Sequence, residues 1–155
     1  MKDTIENSIF LPAAPQKVWN ALTTPEEISG WFAKKGVEGK IEQGSEFTLC
    51  FQMSESIGKC LAKVVTFEPI TRFAYRWMPG DCNTAPLDTV PTTLVEFTLS
   101  PEGEGTRLNL RESGFASLPE TMRDQALKDN TAGWTEELGH LVEYVENWKP
   151  LTKTS

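Results

Sequence analysis

The sequence is poor in the groups that bind transition metals or transfer protons at neutral pH. It has one histidine in 155 residues and three cysteines, with no CxxC spacing among them. Zinc sites need three or four such ligands, usually in closely spaced pairs. No GxSxG, P-loop or GxGxxG motif is present either. The sequence therefore predicts no metal site and no cofactor.

Basic residues and long apolar runs are also scarce. Lys and Arg total 15 against 22 Asp and Glu, which gives a net charge of −7. Nucleic acids and anionic membranes attract basic surfaces, so neither is expected as a partner. No apolar run approaches the roughly 20 residues that span a bilayer, and Met1–Asn7 lacks an apolar signal segment. With no disulfide pattern among the cysteines, a cytoplasmic location is expected.

Aromatic residues, by contrast, are plentiful: eight Phe, five Trp and two Tyr. The length suits one domain, which we assign to residues 1–149, with a C-terminal tail at 150–155.

Hydrophobic periodicity divides the chain into three parts. A strand at Thr4–Leu11 precedes two short helices, Gln16–Leu22 and a second one that begins at Thr24. Thr24 and Glu27 have the spacing of a capping box at the start of that second helix. Alternating patterns then predict antiparallel strands, which are Glu46–Met53, Ile57–Phe67, Arg72–Met78, Thr93–Leu99 and Thr106–Glu112.

The last part is one long amphipathic helix from Pro119 to about Trp148, because its apolar residues recur every three or four positions. A sheet with one apolar face followed by such a helix is expected to curl around it. The predicted fold class is therefore α+β.

Three segments also carry a family resemblance. They are Ala14–Glu26 followed by Trp31-Phe32, then Glu68–Trp77, and then Thr106–Tyr144. They resemble the SRPBCC (START/Bet v-like) superfamily, and within it the branch named after the activator of heat shock protein 90 ATPase. The resemblance implies a helix-grip fold, in which a curved antiparallel sheet wraps around the C-terminal helix and leaves a cavity between them. It implies no catalytic residue, since this superfamily includes both carriers and cyclases.

Several apolar residues share the inward phase of their elements. They line either a ligand pocket or a filled core, and both interpretations are open at this stage. Those assigned to the candidate ligand site are Phe51, Tyr75, Trp77, Phe97, Trp134, Leu138 and Leu141.

Polar residues interrupt the apolar face of the long helix. Arg123, Asn130 and Glu137 recur every seven positions, where an unpaired group in a dry core is unfavourable. Asn130 and Glu137 are assigned to orient the polar end of a ligand. The alternatives are that Arg123 lies at an open helix end and that Glu137 pairs with a strand residue. Glu112 also points inward if its strand has no bulge, and it joins the candidate site. A Glu112–Glu137 carboxylate pair is a further hypothesis.

The remaining reactive side chains have ordinary explanations. We expect His140 to be a solvated residue paired with Glu136 and Glu143, one turn away on either side. A tight turn centred on Glu55 would place Cys50 opposite Cys60. These two are either a redox pair or small apolar fillers.

The leading functional hypothesis is non-catalytic binding of a small hydrophobic or amphipathic ligand. The breaker-rich loop Pro79–Pro91 is a candidate lid. One alternative is a cyclase- or hydrolase-like enzyme that uses Glu112, Glu137 or Tyr75 as acid or base. Another, implied only by the family's name, is a chaperone-interacting module. A monomer or weak homodimer is expected.

Overall fold

The structure is a computed structural model that describes residues 3–79 and 85–147. Cys82, Trp148 and the tail 150–155 lie outside these residues, as do positions 80–84 of the predicted lid. The remainder of that loop contains a short 3₁₀ helix, Leu87–Thr89, whose Leu87 is buried.

The sheet contains seven strands in the described residues, all antiparallel to their neighbours. Its order is β1-β7-β6-β5-β4-β3-β2, so six strands follow one another as a meander and β1 closes the far edge beside β7. The strands are β1 (Thr4–Leu11), β2 (Val37–Gly39), β3 (Glu46–Gln52), β4 (Ile57–Glu68), β5 (Arg72–Trp77), β6 (Thr93–Glu102) and β7 (Gly105–Ser113).

Three α-helices accompany the sheet. Helices α1 (Pro15–Thr23) and α2 (Pro25–Trp31) follow β1, and each begins with the proline that the sequence places at the first turn. After a 3₁₀ turn at Phe115–Ser117, α3 (Glu120–Asn147) extends over 28 residues. At 1.5 Å per residue it is about 42 Å long.

The core lies between the inner face of the sheet and α3. The buried residues of α3 recur at helical spacing, and they are Ala126, Trp134, Leu138, Leu141 and Val145. Alternate residues of the strands meet them, among them Phe97 in β6 and Leu108 and Leu110 in β7, all at most 2% exposed. The predicted α+β helix-grip architecture is confirmed. In the described residues, no helix has the length and apolar content that a membrane span requires.

One local prediction is wrong, and one short strand was missed. Thr24 precedes α2 but its side chain makes no capping hydrogen bond. The Glu27 carboxylate instead accepts hydrogen bonds from Lys17 Nζ at 3.1 Å and Tyr144 Oη at 3.0 Å. The strand β2 was not predicted, because its three residues are too short for an alternating pattern.

The cysteine prediction is wrong by one position. The β3–β4 hairpin pairs Cys50 with Lys59 and Leu49 with Cys60, so the two cysteines are not opposite each other. A shift of one residue moves a side chain to the other face of a sheet. Cys50 is a buried free thiol whose pKa is raised by burial, and Cys60 is half of a disulfide, so the two are not bonded to each other.

The Glu27 contacts attach the short helices to α3. Lys17 in α1 lies over the Tyr144 ring of α3, with Nζ 4.9 Å from the ring centroid. Gly30 in α2 faces the same ring, and a Cβ at Gly30 would lie 2.6 Å from Tyr144 Cε1. Because the Tyr144 hydroxyl is bound to Glu27, the ring is not free to move aside.

The substitution Gly30→Ala is therefore expected to lower the free energy of unfolding by about 1–3 kcal/mol, the usual cost of overpacking. Gly139→Ala in α3 is the matched control, because no atom lies within 4 Å of its Cβ position. That change should raise stability by about 1 kcal/mol through helix propensity. Urea unfolding of both variants measures the difference, and a Gly30→Ala protein as stable as the parent would contradict the packing described above.

Candidate ligand-binding cleft

Glu112 is a fully buried carboxylate at the centre of the fold. It lies in β7, where it pairs with Ile5 of β1 and Val95 of β6. Both registers run through Glu112 without a shift, so no bulge turns the side chain outward. The residue is 0% exposed and its carboxylate points toward α3.

Four side chains donate hydrogen bonds to this carboxylate. Trp77 Nε1 and Thr93 Oγ1 bind Oε2 at 3.0 and 2.5 Å. Asn130 Nδ2 and Trp134 Nε1 bind Oε1 at 3.0 and 2.8 Å. The two indoles have no acceptor atom and can only donate. Each oxygen thus has two partners, and no ion pair to Glu112 exists among the described residues.

These bonds join β7 to three other elements. A buried carboxylate without partners costs several kcal/mol, so the fold is stable only when its donors are in place. Trp77 is in β5, Thr93 in β6, and Asn130 and Trp134 are in α3. The carboxylate therefore links the sheet to the long helix and holds both indole rings by their N–H groups.

The two indole rings form part of a cleft beside Glu112. Phe32, directly after α2, has its ring centroid 5.3 Å from that of Trp134 and 5.1 Å from that of Phe51 in β3. The centroids of Trp77 and Trp134 are 6.2 Å apart. The lining consists of Phe32, Phe51, Trp77, Asn130, Gly133, Trp134 and Glu137.

The cleft has a volume of about 150 Å³. Sites for drug-sized ligands usually measure about 300–1,000 Å³. A cavity of about 150 Å³ accommodates a benzene molecule. The space beside the indole rings therefore suits one six-membered ring, and the rest of the predicted cavity is filled by side chains.

The predicted site residues that are not in this lining pack behind it. Phe97 contacts the Trp134 ring edge-to-face, with centroids 6.0 Å apart. Leu138 and Leu141 belong to the core between sheet and helix. These three residues therefore lie in the packed core, as in the filled-core interpretation.

Tyr75 also lies behind the cleft, at 2% exposure. Its hydroxyl has no hydrogen-bond partner in the described residues. Burial raises the pKa of this hydroxyl well above its usual value, and the negative charge of Glu112 adds to the effect. The Tyr75 hydroxyl is therefore neutral, and Tyr75 does not line the cleft.

Glu137 is the carboxylate that lines the cleft itself. Its Oε1 is 2.9 Å from His140 Nδ1, one turn along α3. Burial raises the pKa of the Glu137 carboxyl, and the hydrogen bond with His140 opposes this rise. His140 thus pairs with Glu137 and not with the predicted Glu136 and Glu143.

No hydrogen bond joins Glu112 and Glu137, since Glu112 is occupied by its four donors. The hypothesis of a carboxylate pair that shares a proton is not supported by this arrangement. Glu136, Glu137 and His140 do offer ligand atoms within 4.8 Å of one another. Acidic groups at a surface often cluster in this way without binding an ion. We therefore assign no metal site to these three residues.

Arg123, the third polar residue on the apolar face of α3, does not line the cleft. It is half-buried in the first turns of the helix.

Three residues of the site were not singled out from the sequence. Thr93 is directly opposite Trp77 in the β5–β6 register, so it shares the inward phase of Val95 and Phe97. Gly133 lies between Asn130 and Trp134 on α3, and that helical spacing indicates the same face. The position of Phe32 depends on how α2 ends against α3, for which no sequence signal exists.

A family model described as "Activator of Hsp90 ATPase homolog 1-like protein" matches residues 12–146. No curated protein sequence matches the chain.

Solved structures share the fold. The Mesorhizobium loti protein MLL2253 superposes with a TM-score of 0.75 at 22% identity, covering 95% of this chain and 99% of that one. The Aha1 dimer from Colwellia psychrerythraea gives a TM-score of 0.73 at 20% identity, with 96% and 100% coverage. DynU16, from the dynemicin biosynthetic locus, gives a TM-score of 0.73 at 24% identity, and its match covers 97% of this chain and 49% of DynU16. The chain thus spans about half of the length of DynU16, and at these identities the likenesses show the fold alone.

The role of Glu112 is tested by Glu112→Gln. The new amide replaces one acceptor oxygen with an N–H₂ group that faces two donors, so we expect the free energy of unfolding to fall by about 2–4 kcal/mol. Glu96→Gln is the matched control, because Glu96 lies on the outer face of the neighbouring strand with only a 3.7 Å ion pair to Arg72. That control should change stability by less than about 0.5 kcal/mol.

Chemical denaturation measures both changes, and indole N–H signals in nuclear magnetic resonance (NMR) spectra report on Trp77 and Trp134. Equal stabilities for the two variants would show that the four hydrogen bonds do not support the fold.

Proposed function

The chain belongs to the family of Activator of Hsp90 ATPase homolog 1-like proteins, and from this membership and its cleft we propose that it binds a small amphipathic ligand between the sheet and α3. The observation that carries the proposal is the cleft of about 150 Å³, walled by Phe32, Phe51, Trp77 and Trp134. Small-molecule sites are concave and mostly apolar, with a few placed polar groups. Asn130 and Glu137 supply such groups here.

The cleft is suited to binding because its walls are held before any ligand arrives. The indole N–H groups of Trp77 and Trp134 are both bound to Glu112, so these rings have defined orientations. A wall that needs no ordering on binding avoids an entropic cost of about 0.5–1.5 kcal/mol per side chain. Affinity is therefore expected even from a ligand of few atoms.

The lining favours one flat ring with a short polar extension. Aromatic walls stack on, or meet edge-to-face, a planar ring, and each such contact contributes about 0.5–1.5 kcal/mol beyond area burial. The polar end of the ligand would lie toward Asn130 and Glu137.

We favour binding over catalysis because the candidate acid–base groups are not available at the cleft. Both oxygens of Glu112 are engaged by donors, and the Tyr75 hydroxyl is buried behind the wall. Of the three proposed acid–base residues, Glu137 alone lines the cleft. A single carboxylate that already pairs with His140 is weak support for an enzyme.

The other expectations from the sequence stay predictions. The Colwellia neighbour is described as a dimer, and a homodimer of this chain is proposed on that likeness. The chaperone-interacting alternative depends on the family's name. The cytoplasmic location was expected from cysteines without a disulfide pattern, and the disulfide at Cys60 argues against that reason.

Binding is tested with 2-phenylethanol, a neutral single-ring compound, titrated while NMR follows the indole N–H signals. For about nine heavy atoms we expect a dissociation constant of about 1 mM. The signals of Trp77 and Trp134 should shift, whereas that of Trp19, which packs against Phe67 and Phe73, should not. No shift at millimolar ligand would count against the proposal.

Gly133→Leu tests the location. Gly133 lines the cleft and has open space at its Cβ position, so a leucine side chain there would extend from an unhindered Cβ into the cleft. We expect at least an approximately tenfold loss of 2-phenylethanol affinity with no loss of thermal stability, because leucine is the better helix former. Gly139→Leu, on an exposed position of the same helix, should bind as the parent does. Equal affinity in both variants would place the ligand elsewhere.

A further inference from the structure

Two of the hydrogen-bonding groups that the cleft leaves open are acceptors. Glu137 Oε1 pairs with His140, and its Oε2 accepts no hydrogen bond from the described residues. The amide of Asn130 is oriented by its Nδ2, which donates to Glu112, so Oδ1 is the atom without a described partner. Both residues line the cleft. A ligand therefore meets two oxygen acceptors there.

Most donors of the cleft are, in contrast, used internally, and the second N–H of Asn130 is the exception among the described residues. The indole N–H groups of Trp77 and Trp134 both point to Glu112, and one N–H of Asn130 does the same. Phe32, Phe51 and Gly133 contribute no side-chain donor. No Lys or Arg lines the cleft among residues 3–79 and 85–147. An anionic ligand would thus find little to bind.

Charge around the cleft is also negative. Glu112 is buried directly behind the two indole rings, without an ion pair among the described residues, and Glu137 lies in the lining. The faces of aromatic rings carry negative potential and attract cations. The basic neighbours of Glu137 are His140 and Lys34, which line a separate surface depression. Burial raises the pKa of Glu137, whereas His140 and Lys34 oppose this rise.

We propose that the ligand of this cleft is a small arylalkylamine, with its ring against Phe32, Phe51, Trp77 and Trp134 and its ammonium group donating to Glu137 and Asn130. This inference depends on the proposed function and narrows its ligand class. The ammonium supplies the donors that the cleft lacks and a positive charge beside two carboxylates. One six-membered ring matches the volume of about 150 Å³.

Three compounds that share a phenyl ring and a two-carbon chain separate charge from shape: 2-phenylethylamine, 2-phenylethanol and 3-phenylpropionate. At neutral pH the first is a cation, the second is neutral and the third is an anion. NMR titration of the full chain, read at the Trp77 and Trp134 indole N–H signals, gives each affinity. We expect the amine to bind about tenfold more tightly than the alcohol, equivalent to about 1.4 kcal/mol. The carboxylate should bind more weakly than the alcohol.

A variant without the negative charge tests whether Glu137 causes the preference for the amine. Glu137→Gln keeps the size of the side chain and should reduce the amine-to-alcohol ratio from about tenfold to less than about threefold. Glu146→Gln is the matched control, since it makes the same change at an exposed position of α3 nine residues away. It should leave the ratio at about tenfold. Because Glu137 is half-buried, raising the salt concentration should lower the amine-to-alcohol affinity ratio only slightly, whereas salt strongly screens an exposed ion pair.

The outcomes distinguish this inference from the proposed function. If 2-phenylethanol binds as tightly as the amine, or the carboxylate binds most tightly, the amine inference is overturned and the proposed function stands. An amine preference that survives Glu137→Gln overturns the role of Glu137. If none of the three compounds binds, both the inference and the proposed function are overturned.

Discussion

The burial of one carboxylate governs this structure. Glu112 is 0% exposed near the end of β7, and its two oxygens require donors that only the surrounding elements can bring. Those donors come from β5, β6 and α3, so the sheet and the long helix are joined at one point by four hydrogen bonds. Hydrophobic packing alone does not specify where along α3 the sheet should meet it, whereas directed bonds to Asn130 and Trp134 do.

The same carboxylate shapes the cleft. Two of its four donors are indole N–H groups, so satisfying Glu112 also orients the rings of Trp77 and Trp134 that face the ligand space. Using the indole donors internally leaves Asn130 Oδ1 and Glu137 Oε2 as acceptors without a described partner in the cleft. The hydrogen bonds that satisfy Glu112 thus also determine which polar atoms of the cleft are unpaired. Glu112 therefore both stabilises the fold and orients the side chains that line the cleft.

Much of the fold was predictable because it follows from local periodicity. Strand phase places Trp77 and Phe97 inward, and helix phase places Asn130 and Trp134 on the buried side of α3. The wrong predictions concern the register between paired strands and the choice of partner between nearby side chains. Cys50 and Cys60 miss each other because the hairpin pairs residues one position away from the symmetry expected about Glu55. His140 pairs with Glu137 because side chains three and four apart are both within reach, and the sequence does not choose between them.

By itself, the sequence determined the order of the longer elements, the α+β class, and which residues point inward, because these depend on periods of two and 3.6 along the chain. It also indicated that Glu112, Asn130 and Glu137 interrupt an apolar interior. Only the tertiary structure decided which inward residues line the cleft and which pack behind it. Residues 32, 51, 77 and 134 come from separate elements, and their meeting depends on how α2, the sheet and α3 pack together. Tyr75, Phe97, Leu138 and Leu141 have the same inward phase, yet packing places them behind the wall.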